Sequence, residues 1–248
     1  MKILITAGGT QEPIDSVRSI SNHATGRLGT KIADAFAELH DLGRLVYLCG
    51  RNAALPQTDK AEIIRIRGTA ELEATLRKLT AEDHFDAIIH GMAVSDYRVR
   101  QVTSVSALAE AAACCESRHA GEIKDALIEA ESFDADGKLS STVEDLVLML
   151  EKTPKVISLL RGMAPDAVIV GFKLLDHVSR EELLDTAYRL LQTNNCDFVL
   201  ANDMVTVNSP VHYGFLLDQM RRVTECRGKE EIARSIVEVV CGKVGAGK

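Results

Sequence analysis

The chain opens on an apolar run, Ile3, Leu4, Ile5 and Ala7, that ends in Gly8-Gly9. A continuous apolar stretch closed by glycines predicts a buried parallel strand and a tight turn. Thr25-Gly26-x-x-Gly29 then opens a helical period, with Leu28, Ile32, Ala35, Phe36 and Leu39 on one face. Further apolar runs predict strands at 44–50, 61–66, 86–94, 166–175 and 197–203. A helix begins at Thr69, with that threonine as its cap, and another follows Ser179, where Glu182 completes a capping box. Thr153-Pro154 reads as a helix start leading into 155–162. Segments 213–217 and 222–226 form a hairpin around Asp218-Gln219, and 228–241 is a closing amphipathic helix with a frayed Gly/Lys tail.

Alternation of strands and helices predicts a doubly wound, mainly parallel, Rossmann-like α/β sheet. The rhythm breaks between Arg98 and Asp136, where an Ala- and Glu-rich stretch has helix propensity but no strand. This segment reads as an inserted helical arm, with an apolar stripe too weak for an independent domain. The pattern resumes at 146–150. The expectation is one domain over 1–248, with an insertion at about 98–136 and a protruding C-terminal hairpin.

Composition narrows the function. The 248 residues carry 29 basic and 36 acidic side chains, a formal charge of −7, which disfavours non-specific nucleic-acid binding. Tryptophan is absent, which weakens any base-stacking platform. No segment has the length of a membrane span and the start lacks a signal-peptide pattern. The cysteines at 49, 114, 115, 196, 226 and 241 show no CxxC spacing, and two of them sit in or beside apolar runs. Reduced packing cysteines in a cytoplasmic protein are expected.

In open parallel sheets, ligands bind beyond the carboxyl ends of the strands. Gly8-Gly9-Thr10 follows the first strand, Ser95-Asp96-Tyr97 the strand at 86, Phe172-Lys173 that at 166, and Asn202-Asp203 that at 197. The glycine turn and the Thr25-Gly26 helix start have the parts needed to hold phosphate: bare backbone N–H groups and a positive helix end. Asp96 equally suits a cap and Asn202-Asp203 an Asx turn. The loop between the glycine clusters carries Pro13, Asp15, Arg18, Asn22 and His23, and so departs from the compact dinucleotide fingerprint. Gly137-Lys138-Leu139-Ser140-Ser141 is a further glycine-lysine turn, whose lysine could reach phosphoryl oxygens. The seven histidines lack metal-ligand pairing, so metal ligands stay unassigned.

These residues together resemble the phosphopantothenate–cysteine ligase family. ITAGGTQEPIDSVRSISNHATGRLG is similar to that family's opening signature and MAVSDY to its second motif; GKLSS, KTPKVI, GFKLL and ANDM follow in the family's order. The resemblance spans nearly the whole chain outside the insertion; without the flavin-dependent decarboxylase domain fused to this ligase in many bacteria, the expectation is a stand-alone ligase, of bacterial type by its SISNHATG and ANDM wording. It implies that 4′-phosphopantothenate is activated by a nucleoside triphosphate with Mg²⁺, and that the L-cysteine amine then attacks the acyl-nucleotide. Asn22 matches the asparagine acting on that intermediate, and Lys138 the lysine of the first half-reaction. Arg18 matches an arginine near the phosphopantothenate site, and Asn22, Thr25, Gly26 and Ala93 are assigned with it to substrate. Asp96 and Phe172 match nucleotide-contacting positions, and Gly8, Gly9, Thr10 and Lys173 are assigned to the nucleotide with them. The helix before ANDM carries Tyr188 to Asn194 without the lysines that fused bacterial members place against CTP. The bacterial wording still favours CTP over ATP, with Lys173 or Arg189 as replacement cations. A homodimer is implied, with the insertion as a candidate contact. Competing readings are a nicotinamide oxidoreductase, whose compact glycine fingerprint and Tyr-x-x-x-Lys pair the chain lacks, and a non-catalytic nucleotide-binding module.

Overall fold

The computed structural model describes residues 1–115, 119–134, 136–207 and 212–246. In chain order the elements are β1 (Lys2–Ala7), β2 (Gln11–Pro13), β3 (Ser19–Ser21), α1 (Arg27–Ala37), β4 (Arg44–Gly50), β5 (Ala61–Ile66), α2 (Thr69–Glu82) and β6 (Ala87–His90). Then come β7 (Tyr97–Ser104), α3 (Val105–Cys114), α4 (Ala120–Ile128), β8 (Leu146–Lys152), α5 (Val156–Met163), β9 (Val168–Leu175) and α6 (Arg180–Thr193). The last are β10 (Phe198–Asp203), α7 (Met204–Val207), β11 (Tyr213–Asp218), β12 (Val223–Arg227) and α8 (Gly228–Ala246).

The chain divides into two compact units. The first comprises Met1–Thr10, Asn22–Val94 and the chain from Lys155 onward; the second comprises Gln11–Ser21 and Ser95–Pro154.

The first unit is an 8-stranded sheet in the order β12-β11-β10-β9-β6-β1-β4-β5. All neighbours from β10 to β5 pair in parallel, and β11 and β12 add an antiparallel edge. Strand alternation delivers side chains to two apolar layers. Ile3, Ile5, Leu45, Tyr47, Ile89 and Val170 pack with α1 and α8 on one face. Leu4, Val46, Leu48, Ile88 and Ile169 pack with α2, α5 and α6 on the other. Burial on both faces explains why β1 and β4 read as unbroken apolar runs. Helices on both faces of a mainly parallel sheet are the doubly wound arrangement expected from the sequence.

Several local expectations change. The hairpin does not protrude: β11 pairs with β10 in register Leu200↔Leu216 and extends the sheet. The helix at 69 has Gly68, not Thr69, at its N-cap position. Instead the Glu71 carboxylate accepts the Arg67 amide at 2.7 Å, closing the helix start from inside the first turn. Ser179 does cap α6, accepting the Glu182 amide at 3.1 Å. Thr153 is not a helix cap either; its amide donates to the Asp96 carbonyl at 3.0 Å, and α5 starts at Val156 after Lys155.

The second unit holds two antiparallel ribbons, β2–β3 and β7–β8. The segment read as purely helical therefore begins with a strand, since β7 covers Tyr97–Ser104. Its Tyr97, Val99, Val102 and Thr103 are strand formers, and a bulge between Val99 and Gln101 breaks the period that would have revealed it. Likewise 146–150 does not rejoin the large sheet but pairs with β7 as β8. Helices α3 and α4 follow the expected propensity, with Ser104 accepting the Ala107 amide at 3.1 Å. The expected fraying at Gly247 and Lys248 lies outside the described residues.

Ile5 is fully buried on the central strand of the first unit. Ile5→Ala should lower the unfolding free energy by about 2–5 kcal/mol in a urea titration. A loss under about 1 kcal/mol would contradict its place in a close-packed layer.

Candidate functional site

In the first unit the carboxyl ends of β1, β4 and β6 converge through glycines. Gly8 has φ +78°, which favours glycine, and an added Cβ would lie 2.5 Å from the Ala53 methyl. A Cβ on Gly9 would lie 2.6 Å from the Asn22 carbonyl oxygen, and one on Gly50 would collide with the Gly9 carbonyl. The backbones touch because there are no side chains to hold them apart. Gly91 N donates to Thr6 O at 3.1 Å and Ala93 N to Gly8 O at 2.8 Å, so the chain after β6 continues to track the turn after β1. A parallel bridge between Gly9 and Ala93 extends the ladder past both strands.

Asn22 closes this cradle. Its Nδ2 donates to the Ala93 carbonyl at 3.1 Å, an oxygen that also accepts the Thr10 amide at 3.1 Å. A side-chain amide carries two donor hydrogens, so one remains to serve a ligand. Gly26, at φ +74°, stands at the start of α1 with its Cβ position 3.2 Å from Gly8 N. The first turn of α1 has neither a side-chain cap at Gly26 nor an acidic residue. Its N–H groups and the positive helix end suit an anion.

Gly8, Gly9, Thr10, Asn22, Thr25, Gly26 and Ala93 are thus gathered in one place. Phe172 joins their border: its ring lies 3.4 Å from a Cβ placed on Gly91. Phe172 and Lys173 do not follow β9, as the sequence suggested, but lie within it, in register with Leu200 and Ala201. Successive strand residues face opposite ways, so Phe172 packs on the α1 layer and Lys173 projects to the other face. Asn202 and Asp203 end β10. The Asn202 side chain is engaged by His212 Nε2 at 2.9 Å, and Asp203 forms an Asx turn to the Val205 amide at 2.8 Å.

In the second unit, Arg18 and Lys138 are brought to one turn. The Asp15 carboxylate takes the Arg18 guanidinium at 2.6 Å and the Leu139 amide at 3.2 Å. Lys138, next to Leu139, is exposed. Asp96 precedes β7, with its carbonyl accepting the Thr153 amide. Among the described residues, no group of three or more His, Cys, Asp or Glu side chains gathers as a metal site.

A cavity of about 500 Å³ in the first unit lies at the opposite, amino ends of the parallel strands, lined by Asp86, Arg161, Asp197 and Lys243 among others. Its charges pair with one another: Asp197 meets Arg161 at 2.8 Å and Lys243 at 3.4 Å. It is a structural ion-pair cluster, away from the glycine cradle.

Residues 1–110 and 130–243 match the family described as the DNA/pantothenate metabolism flavoprotein C-terminal domain. The chain belongs to that family. It is 29% identical over 246 residues to the coenzyme A biosynthesis bifunctional protein CoaBC of Methanocaldococcus jannaschii, covering 96% of this chain and 50% of that protein. The chain therefore spans about half the length of that relative. Among solved structures, the DNA/pantothenate metabolism flavoprotein of Streptococcus pneumoniae superposes with a TM-score of 0.81 at 32% identity, over 98% of this chain and 99% of that one. A Cab2 mutant complexed with phosphopantothenate-cysteine shares the fold, with a TM-score of 0.68 at 16% identity over 98% and 86% of the two chains. No helix among the described residues is long and apolar enough to cross a membrane.

Sequence reasoning overlooked the pair beneath the cradle. His90 ends β6 fully enclosed, with Nδ1 2.9 Å from Thr6 Oγ1. Thr6 Oγ1 also accepts the Met92 amide at 3.3 Å. A histidine inside an apolar strand was the available signal. Burial pushes its pKa from 6.5 down to about 4. The unfolded chain binds a proton at higher pH than the fold does, so this group's contribution is lost as pH falls from about 6.5 through about 4. NMR titration of the His90 ring should show it neutral down to about pH 4; a midpoint near 6.5 would contradict the buried neutral pair.

Proposed function

We propose that this chain joins 4′-phosphopantothenate to L-cysteine, using CTP, in coenzyme A biosynthesis. The observation that carries the reading is the glycine cradle closed by Asn22, within a chain of the family reported above. A carboxylate oxygen of phosphopantothenate attacks the α-phosphorus and pyrophosphate leaves, giving an acyl-cytidylate. The cysteine amine then attacks the acyl carbon, loses a proton, and CMP departs. Little covalent help is required; positioning and charge neutralisation carry the rate.

The residues fit these demands. The α1 start, and a Gly8-Gly9 turn with no side chains to keep a ligand away, suit phosphoryl oxygens. The remaining Asn22 Nδ2 hydrogen suits the oxyanion formed when the amine attacks, and an amide donates there without titrating. Lys138, exposed and adjacent to the anchored Leu139, suits charge developing at the α-phosphate. Arg18, Thr25, Gly26 and Ala93 are assigned to phosphopantothenate, and Asp96, Phe172 and Lys173 to the nucleotide. Mg²⁺ enters as part of the nucleotide substrate, held through its phosphates in the manner usual for this ion. Tyr97, Leu146 and Leu150 are 48%, 38% and 47% exposed on one face of the β7–β8 ribbon, which supports self-association as a homodimer.

Purified protein with phosphopantothenate, cysteine, Mg²⁺ and either CTP or ATP should release pyrophosphate, faster with CTP. Faster release with ATP would reverse the nucleotide assignment, and none with either would remove the ligase reading. Asn22→Asp should accumulate acyl-nucleotide and slow product formation by about 10²–10³-fold, the usual effect of removing one oxyanion donor. Lys138→Ala should instead slow pyrophosphate release itself. Normal turnover by either variant would refute its role.

A further inference from the structure

The Asp15 side chain is 0% exposed, yet it is a charged carboxylate with partners from two distant parts of the second unit. The Arg18 guanidinium beside it holds its carboxyl well below the usual carboxylate range, aided by the Arg18 and Val17 amides. Oδ1 accepts the Val17 and Arg18 amides at 2.8 and 2.6 Å. Oδ2 accepts Arg18 Nε and Nη2 at 2.9 and 2.6 Å and, 124 residues along the chain, the Leu139 amide at 3.2 Å. Two more bonds tie the same segments: the Ser16 amide to Gly137 O at 3.3 Å, and Arg18 Nη2 to Leu139 O at 3.4 Å.

An ordinary Asx turn accounts for the Oδ1 bonds. It does not account for Oδ2, which grips the guanidinium and the 137–139 turn with a single oxygen. We propose, resting on the ligase reading above, that Asp15 is a positioning residue that sets Arg18 and Lys138 in one fixed frame. The paired Nε and Nη2 bonds fix the plane of the guanidinium while its side chain stays 45% exposed. Lys138 is exposed between Gly137 and Leu139, both of which are anchored to the Asp15–Arg18 loop. Asp15 thereby couples a cation assigned to phosphopantothenate with the cation assigned to the activation step.

Asp15→Asn tests this with little change of shape. One oxygen can stay on the Val17 and Arg18 amides, while an NH₂ replaces Oδ2 and faces the N–H donors of Arg18 and Leu139. Pyrophosphate release should fall about tenfold or more, the scale of effect expected from misplacing reacting groups. The Asp15→Asn/Lys138→Ala double variant should lose less than the product of the two single losses, because part of the clamp's effect acts through that lysine. Multiplying losses in the double variant, or a wild-type rate in Asp15→Asn, would overturn the proposal. Amide hydrogen exchange gives a readout independent of activity: the Leu139 amide should exchange about tenfold faster or more in Asp15→Asn. Unchanged exchange would overturn the clamp whatever the activity. A wild-type chain inactive with both nucleotides would instead remove the ligase reading, and the positioning role with it, while the exchange result reports the clamp alone.

Discussion

The first unit depends on backbones that touch where three parallel strands end. Gly8, Gly9 and Gly50 leave no room for a side chain between the turn after β1, the end of β4 and Asn22. This contact allows the chain after β6 to follow the turn after β1 to Ala93, and brings the Ala93 carbonyl within reach of Asn22. Amide donors, a helix start without acidic residues and a side-chain amide then share one small volume. A larger residue at any of the three glycines would push these groups apart.

Two-sided burial made the large sheet legible. β4 has the bounds that its apolar run gives, and β1, β9 and β10 differ by a residue or two, because a strand buried on both faces must be apolar throughout. The half-exposed edge strand β5 also keeps its expected bounds, whereas β6 stops at His90, short of the expected 94. The second unit was much less legible. β7 alternates polar and apolar residues across a bulge, so neither a helical nor a strand period survives over its length. Its partner β8 reads as another core strand, since its pairing is a long-range fact that a local pattern does not carry.

The site was legible by residue type more than by role. The glycines, Asn22, Arg18 and Lys138 stand out as polar or flexible residues beside apolar runs. Asp15 was visible in the same loop, but its bond to Leu139 joins positions 124 residues apart, and spacing alone says nothing of that. His90 sits in a strand whose other members are apolar, and its meaning emerges once Thr6 is seen to face it at 2.9 Å. Phe172 and Lys173 show the converse: adjacent in sequence, they leave the strand on opposite faces.

On the proposed reading, a glycine cradle joined to an uncharged donor suits a carboxylate that is first made into a phosphoric anhydride and then passed to an amine. The most direct test follows the carboxylate oxygen. Phosphopantothenate labelled with ¹⁸O in its carboxylate, turned over with CTP and cysteine, should transfer one ¹⁸O to the phosphate of CMP. Label appearing in inorganic phosphate, with CDP as the other product, would contradict activation as an acyl-nucleotide.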